Sequence, residues 1–155
     1  MRNQANQKTL QMIADFSNAK GPSGFEDETV LAARKHIGSG FDVEEDCLRN
    51  FYMYRKNNTG NKPVFMLDAH SDEVGFMVHS IRPNGTLRFV ALGGWNVGSL
   101  ASSKVLVRNA EGNWLPGIIA AKPVHFMSAS EKSSSGAADI SALSIDIGAV
   151  NARDA

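Results

Sequence analysis

The chain has 155 residues, 43% of them hydrophobic, which is enough for one domain or two small ones with a buried core. Sixteen Lys and Arg residues balance sixteen Asp and Glu residues, and the pI is about 6.9, so no long-range field favours nucleic acid or an anionic membrane. We therefore expect neither as a partner.

The N-terminus and the cysteine content bear on location. Residues 1–7 lack the apolar region of a signal peptide, and no apolar run is long enough to span a bilayer. Cys47 is the only cysteine, so no internal disulfide can form, and a reducing compartment fits. We expect a soluble, cytoplasmic protein in which Cys47 is a small packing residue.

Two helices are predicted first. Leu10, Ile13 and Ala14 share one face of an amphipathic helix from about Thr9 to Asn18. A turn rich in Gly and Pro ends it, and apolar residues then repeat at helical spacing until Gly38–Gly40.

The start of the second helix carries a capping-box pattern, with Ser23 followed three residues later by Glu26. Acidic residues 26–28 complement the positive end of the helix dipole. We interpret these carboxylates as helix-terminal charges rather than catalytic groups.

Strand patterns begin at Phe41. Phe41 and Val43 alternate with polar residues, and residues 51–54 are rich in strand-forming types. Residues 64–69 are apolar without alternation, which predicts a strand covered on both faces. Helices and strands together indicate an α/β layer over residues 1–75.

After Gly75 the pattern is typical of an all-β unit, a small barrel or sandwich with an Asn-Gly hairpin tip at residues 84–85. A Ser/Ala-rich stretch, residues 127–138, predicts a mobile loop. The predicted strands are residues 76–81, 87–92, 104–108, 114–121 and 141–147.

The candidate functional residues follow the apolar run of residues 64–69. On a strand, Asp68, His70 and Asp72 would point to one face and Glu73 to the other. Such a histidine can ligate a metal through one ring nitrogen while a carboxylate orients the ring through the other. The spacing is compatible with half of a zinc site, but on spacing alone a hydrogen-bonded loop without metal is the preferred interpretation.

Other features offer weaker alternatives. A three-histidine site from His70, His79 and His125 has no local spacing to support it. His36 lies near the end of the second predicted helix, where a cation suits the dipole. Gly93–Trp95 is predicted to be a tight turn with an aromatic anchor rather than a ligand-binding loop.

Residues 67–78 resemble the His-x-Asp-Glu-(Ile/Val)-Gly segment of a two-metal aminopeptidase family. The family comprises glutamyl aminopeptidases and tetrahedral aminopeptidases, some of them once described as cellulases. Arg49 stands where an Asp-x-x-Gly-Asn segment of that family usually has glycine. The other segments that match, in order, are residues 21–26, 46–50, 93–95, 122–125 and 145–149.

The resemblance implies both a fold and a site. Residues 1–76 would be the N-terminal part of an α/β sandwich peptidase domain, residues 77–150 a β-rich PDZ-like barrel insert for oligomer assembly, and residues 151–155 the start of the return to the catalytic domain. In that family the histidine matching His70 ligates one of two metals, zinc or cobalt. The aspartate matching Asp72 supports that histidine and is counted as catalytic.

The rest of the family's site comes after the segment that matches residues 145–149. It includes the bridging aspartate, the general-base glutamate and the last histidine, while Asp146 belongs to the insert and is no ligand. The two-metal site is thus incomplete here, and such a site needs a bridging carboxylate, closed ligand sets and a base.

We therefore expect the N-terminal portion of a cytosolic metallo-aminopeptidase that acts on peptides as a homo-oligomer and is inactive as this chain alone. The alternative is a non-catalytic interaction module, whose PDZ-like part binds a chain end or a sister subunit by strand addition.

Overall fold

The computed structural model describes residues 2–58, 60–61, 63–129 and 139–155. The chain divides into two compact units, residues 1–73 and residues 74–155. That these units are part of a peptidase domain and an insert stays a prediction. Within the described residues, no helix combines the length and the apolar character needed to cross a bilayer.

Two helices open the first unit, α1 (Arg2–Asn18) and α2 (Asp27–His36). Helix α1 begins before the predicted Thr9, because residues such as Gln7 and Lys8 favour helix even without an apolar face. A charged cluster joins the two helices.

Asp15 of α1 is the centre of that cluster. Its Oδ2 lies 2.7 Å from both Lys35 Nζ and His36 Nε2 of α2, and Gln11 donates to its Oδ1. The hydrogen bond from Lys35, with those from Gln11 and His36, lowers the pKa of Asp15 to about 2. His36 also stacks on Phe16, so it serves helix packing.

The two predicted strands are confirmed as β1 (Phe41–Glu45) and β2 (Phe51–Arg55), and they pair as an antiparallel hairpin. Asp46 fixes its loop by accepting hydrogen bonds from the backbone N–H groups of Leu48 and Asn50. Arg49 adopts a left-handed conformation with φ of 66°. Cys47 is exposed in this loop, so its predicted packing role is wrong.

The strand predicted over residues 64–69 is not formed. These residues have no regular secondary structure, and Val64, Phe65, Met66 and Leu67 are 73%, 92%, 83% and 95% exposed. An apolar run becomes a buried strand only when neighbouring strands pair with its backbone, and the described residues supply none.

The second unit is a five-stranded antiparallel sheet of β3 (Gly75–Ile81), β4 (Leu87–Leu92), β5 (Lys104–Arg108), β6 (Trp114–Ala120) and β7 (Ser144–Asp146). Their spatial order is β3-β4-β7-β6-β5. The hairpin predicted at residues 84–85 is confirmed, and β5 and β6 form a second one, with Gly85 and Gly112 at positive φ in the two turns. The last strand is shorter than predicted because residues 140–142 form a 3₁₀ turn.

A contiguous apolar core closes this unit. Trp95 packs against it, stacks on Phe76 at 4.7 Å and donates from Nε1 to the Gly75 carbonyl, so the predicted aromatic anchor is confirmed. Most of the loop predicted at residues 127–138 lies outside the described residues. The buried core residues are Leu87, Phe89, Leu100, Ile119, Leu143 and Ile145.

Candidate functional site

His70 and Asp72 are in contact, as the family resemblance implies, although they lie in no strand. His70 Nδ1 lies 2.9 Å from Asp72 Oδ1 and 3.0 Å from the Asp72 backbone carbonyl oxygen. Since both partners are acceptors, Nδ1 must carry a proton and donate. In the neutral ring the lone pair is then on Nε2, and the imidazole is 85% exposed. A metal-ligating histidine has this arrangement.

Ser23 holds the other oxygen of Asp72. The Ser23 hydroxyl donates to Oδ2 in a short hydrogen bond. This bond, followed by the one from His70, lowers the pKa of Asp72, so the carboxylate is charged at neutral pH. The hydrogen bonds that run from Ser23 through Asp72 to His70 therefore link two distant segments, since Ser23 and Asp72 are 49 residues apart in sequence.

The predicted capping box at Ser23 and Glu26 is wrong. Glu26 itself is the N-cap of α2 without a side-chain cap bond, and its carboxylate accepts from the Gly24 N–H at 2.7 Å. Ser23 donates to a carboxylate instead, and such charge-assisted hydrogen bonds are roughly twice as strong as neutral ones.

Two hydrogen bonds, one to the side chain and one between backbones, fix the same turn to the residue after Asp72. The Gly21 N–H donates to Glu73 Oε1 at 3.0 Å, and the Glu73 N–H donates to the Gly21 carbonyl at 2.8 Å. A side chain at residue 21 would collide with the Thr29 hydroxyl, so glycine permits this approach to α2. The Glu73 carboxylate is thus occupied in holding the turn.

A cavity of about 410 Å³ lies beside these residues within the first unit. Apolar side chains from both helices and from β2 line it, together with residues 69–73. His70 and Asp72 therefore lie at the wall of an apolar concave surface, where small-molecule and substrate groups commonly bind. The apolar lining residues include Phe16, Val30, Ala33, Phe51 and Met53.

The sequence around this site matches the profile of a known protein family. The profile of the M42 glutamyl aminopeptidases matches residues 50–155. The chain belongs to the M42 glutamyl aminopeptidase family. The match contains the His70–Asp72 pair and the whole second unit.

Individual M42 relatives agree. The chain is 33% identical over 117 residues to the glutamyl aminopeptidase of Lactococcus lactis, covering 74% of this chain and 33% of that protein. It is 27% identical over 149 residues to the lysyl aminopeptidase of Pyrococcus furiosus, covering 94% of this chain and 41% of that protein. The chain thus spans about a third of the length of the curated relatives it matches.

Solved structures show the same fold. The TET aminopeptidase of the marine sediment archaeon Thaumarchaeota archaeon SCGC AB-539-E09 superposes with a TM-score of 0.86 at 33% identity, over 96% of this chain and 40% of that one. The TET1 peptidase of Pyrococcus horikoshii has a TM-score of 0.71 at 24% identity, over 94% and 42%. The mixed α/β class predicted from the sequence is confirmed.

The other predicted ligands of this M42 chain have different surroundings. Asp68 is exposed, and His79 contacts Ser80 through Nδ1 at 3.3 Å. Across the described ranges, no three His, Cys, Asp or Glu side chains come together to hold a metal ion. Asp146 accepts from the Gly148 N–H in a turn.

Sequence reasoning missed the role of Ser23. The segment 21–26 was among the matching motifs, but its local pattern equally fits a helix cap. The acceptor of the Ser23 hydroxyl lies 49 residues along the chain, beyond the reach of local spacing. The occurrence in one chain of both family motifs, residues 21–26 and residues 67–78, is the signal that could have suggested this contact.

Proposed function

We propose that this chain supplies His70 as a metal ligand and Asp72 as the catalytic carboxylate that orients it, in an aminopeptidase that removes N-terminal residues from peptides. The observation that carries the proposal is the 2.9 Å contact from His70 Nδ1 to Asp72 Oδ1, which leaves Nε2 on an exposed ring. M42 family membership supports the hydrolase activity.

The residues present fit a divalent metal such as zinc or cobalt. A neutral imidazole is a good ligand for either metal. The hydrogen bond that His70 Nδ1–H donates to Asp72 fixes the tautomer that ligates through Nε2. When bound, two such metals polarise the substrate carbonyl and lower the pKa of water. His70 would hold one of them, and Asp72 would keep its ring in place.

One histidine and one aspartate do not complete a two-metal site. We therefore propose that the chain alone is inactive and that further ligands and a general base complete the centre.

Residues 77–150 are proposed to be a PDZ-like insert that joins copies into a homo-oligomer. The second unit has a core of its own, which supports an independent role for it. The TET1 peptidase of Pyrococcus horikoshii, with the same fold, can assemble into a tetrahedron or a large octahedral shell. The cytoplasmic location stays a prediction.

Metal binding by the 155-residue chain tests the ligand assignment. In a zinc titration followed by NMR of ¹⁵N-labelled histidine, we expect the His70 ring to shift at Nε2, with weak affinity because the site is open. His70→Ala should abolish the response, and His79→Ala, the matched control, should leave it intact. A response centred on His79 or His125 would contradict the proposal.

The coding sequence that follows Ala155 tests the enzymatic role. An in-frame continuation with an Asp-Asp-Arg-type ligand segment and a Glu-Glu pair would support it, whereas an in-frame stop would favour the interaction module. In the continued chain, His70→Ala should lose metal and activity. Asp72→Asn should retain much of the metal and lose activity, because orientation rather than ligation is removed.

A further inference from the structure

The Asp72 carboxylate is held at both oxygens. Its Oδ1 accepts from His70 Nδ1, and its Oδ2 accepts from the Ser23 hydroxyl. A carboxylate bonded through one oxygen alone can rotate about its terminal torsion, which is broad for aspartate. A second donor on the other oxygen restricts that rotation and fixes the plane in which the imidazole proton is accepted.

We infer that Ser23 is a positioning residue of the site, which acts through Asp72 to hold His70 with Nδ1 protonated and Nε2 directed outward for ligation. This inference rests on the proposed function of His70. It assigns the turn at residues 20–24 a role in the metal centre rather than in starting α2.

The surroundings of Ser23 fit this role. Gly21 and Glu73 exchange two hydrogen bonds, so the residues next to Ser23 and Asp72 are tied together. The segment that leads into His70, residues 64–69, lies in no strand and is exposed. The orientation of His70 therefore depends on these polar contacts and not on a sheet.

Helix capping does not account for Ser23. The N-cap of α2 is Glu26, and no side-chain cap bond is made there. The hydroxyl proton of Ser23 points at Asp72 Oδ2.

The tautomer of His70 in the metal-free chain tests the inference without any activity assay. Long-range ¹H–¹⁵N NMR distinguishes Nδ1–H from Nε2–H in a neutral ring, and we expect the Nδ1–H form in the wild type. Ser23→Ala should lower the ratio of the two forms by about fivefold, the factor that an ordinary net hydrogen bond represents. Ser23→Thr should restore it, and Ser17→Ala, on the exposed side of α1, should not change it.

A double substitution shows whether Ser23 acts through Asp72. In the Asp72→Ala background, adding Ser23→Ala should leave the His70 ratio unchanged. A wild-type ratio in Ser23→Ala, or an equal effect in both backgrounds, would overturn the inference. If Ser23→Ala fails to fold, Ser23→Cys replaces the hydroxyl with a weak donor, and a wild-type ratio there would overturn it equally.

The zinc titration and the tautomer measurement can fail independently of each other. Zinc binding that bypasses His70 would refute the proposed function and leave the tautomer result standing. A tautomer ratio indifferent to Ser23 would refute this inference while His70 could still ligate zinc.

Discussion

Arg49 carries a conformational cost that can be measured. It lies in the β1–β2 loop at φ of 66°, where a residue with a Cβ atom costs roughly 1–2 kcal/mol relative to glycine. Its guanidinium also pairs with Asp27 at 2.8 Å and with Glu45, and exposed pairs of this kind contribute about 0.2–1 kcal/mol each. The cost and the gain are therefore of similar size.

Comparing Arg49→Gly with Arg49→Ala isolates the backbone contribution, because both variants lose the same ion pairs. Glycine relieves the backbone strain of the folded state, but it also makes the unfolded chain more flexible. That second effect lowers the stability by about 0.4–1 kcal/mol and offsets part of the gain. We expect Arg49→Gly to be more stable than Arg49→Ala by about 1 kcal/mol, and close to the wild type.

Urea unfolding followed by far-UV circular dichroism measures the difference in the free energy of unfolding. Leu48 is the matched control, since it is exposed in the same loop without a positive φ. There the order should reverse, with Leu48→Gly about 0.4–1 kcal/mol less stable than Leu48→Ala. Equal stability of Arg49→Gly and Arg49→Ala would refute the reasoning.

Three further outcomes are expected. The 155-residue chain should not hydrolyse amino-acid p-nitroanilides with added zinc or cobalt, and turnover that a chelator abolishes would contradict this. The pKa of Asp15 is about 2 against an ordinary 3.8, so its ionised form stabilises the fold above pH 3.8 and that contribution is lost as the pH falls through 2. Asp15→Asn should accordingly lose less stability than the wild type between pH 4 and pH 2 in urea titrations. The exposed run at residues 64–67 should drive self-association, which size-exclusion chromatography measures. The double variant Phe65→Ser with Leu67→Ser should reduce this self-association. The control Phe126→Ser, at another exposed aromatic residue, should leave it unchanged.

Local turn chemistry explains why most strands could be predicted. Gly85 provides the positive φ that the β3–β4 turn requires, and Gly112 does so between β5 and β6. Each hairpin is specified by residues a few positions apart, so a single sequence contains the necessary information.

Long-range partners explain the failures. Residues 64–69 have the composition of a buried strand, but burial depends on other strands that composition does not identify. Ser23 has the pattern of a helix cap. Its hydroxyl instead donates a hydrogen bond to Asp72, because the turn at Gly21 brings the two segments together. The His70–Asp72 contact was expected from the family resemblance, because the strand that would have placed both side chains on one face is not formed.

The site and the second unit are stabilised by different means. Among the described residues, six apolar side chains are buried in the core of the second unit, whereas Val30 and Ala32 are the buried apolar residues of the first. With so little packing in the first unit, directional bonds have to hold the segment that carries His70. Those bonds converge on Ser23 and Gly21, so a change at either residue should reach His70 more directly than a change in the helices around it.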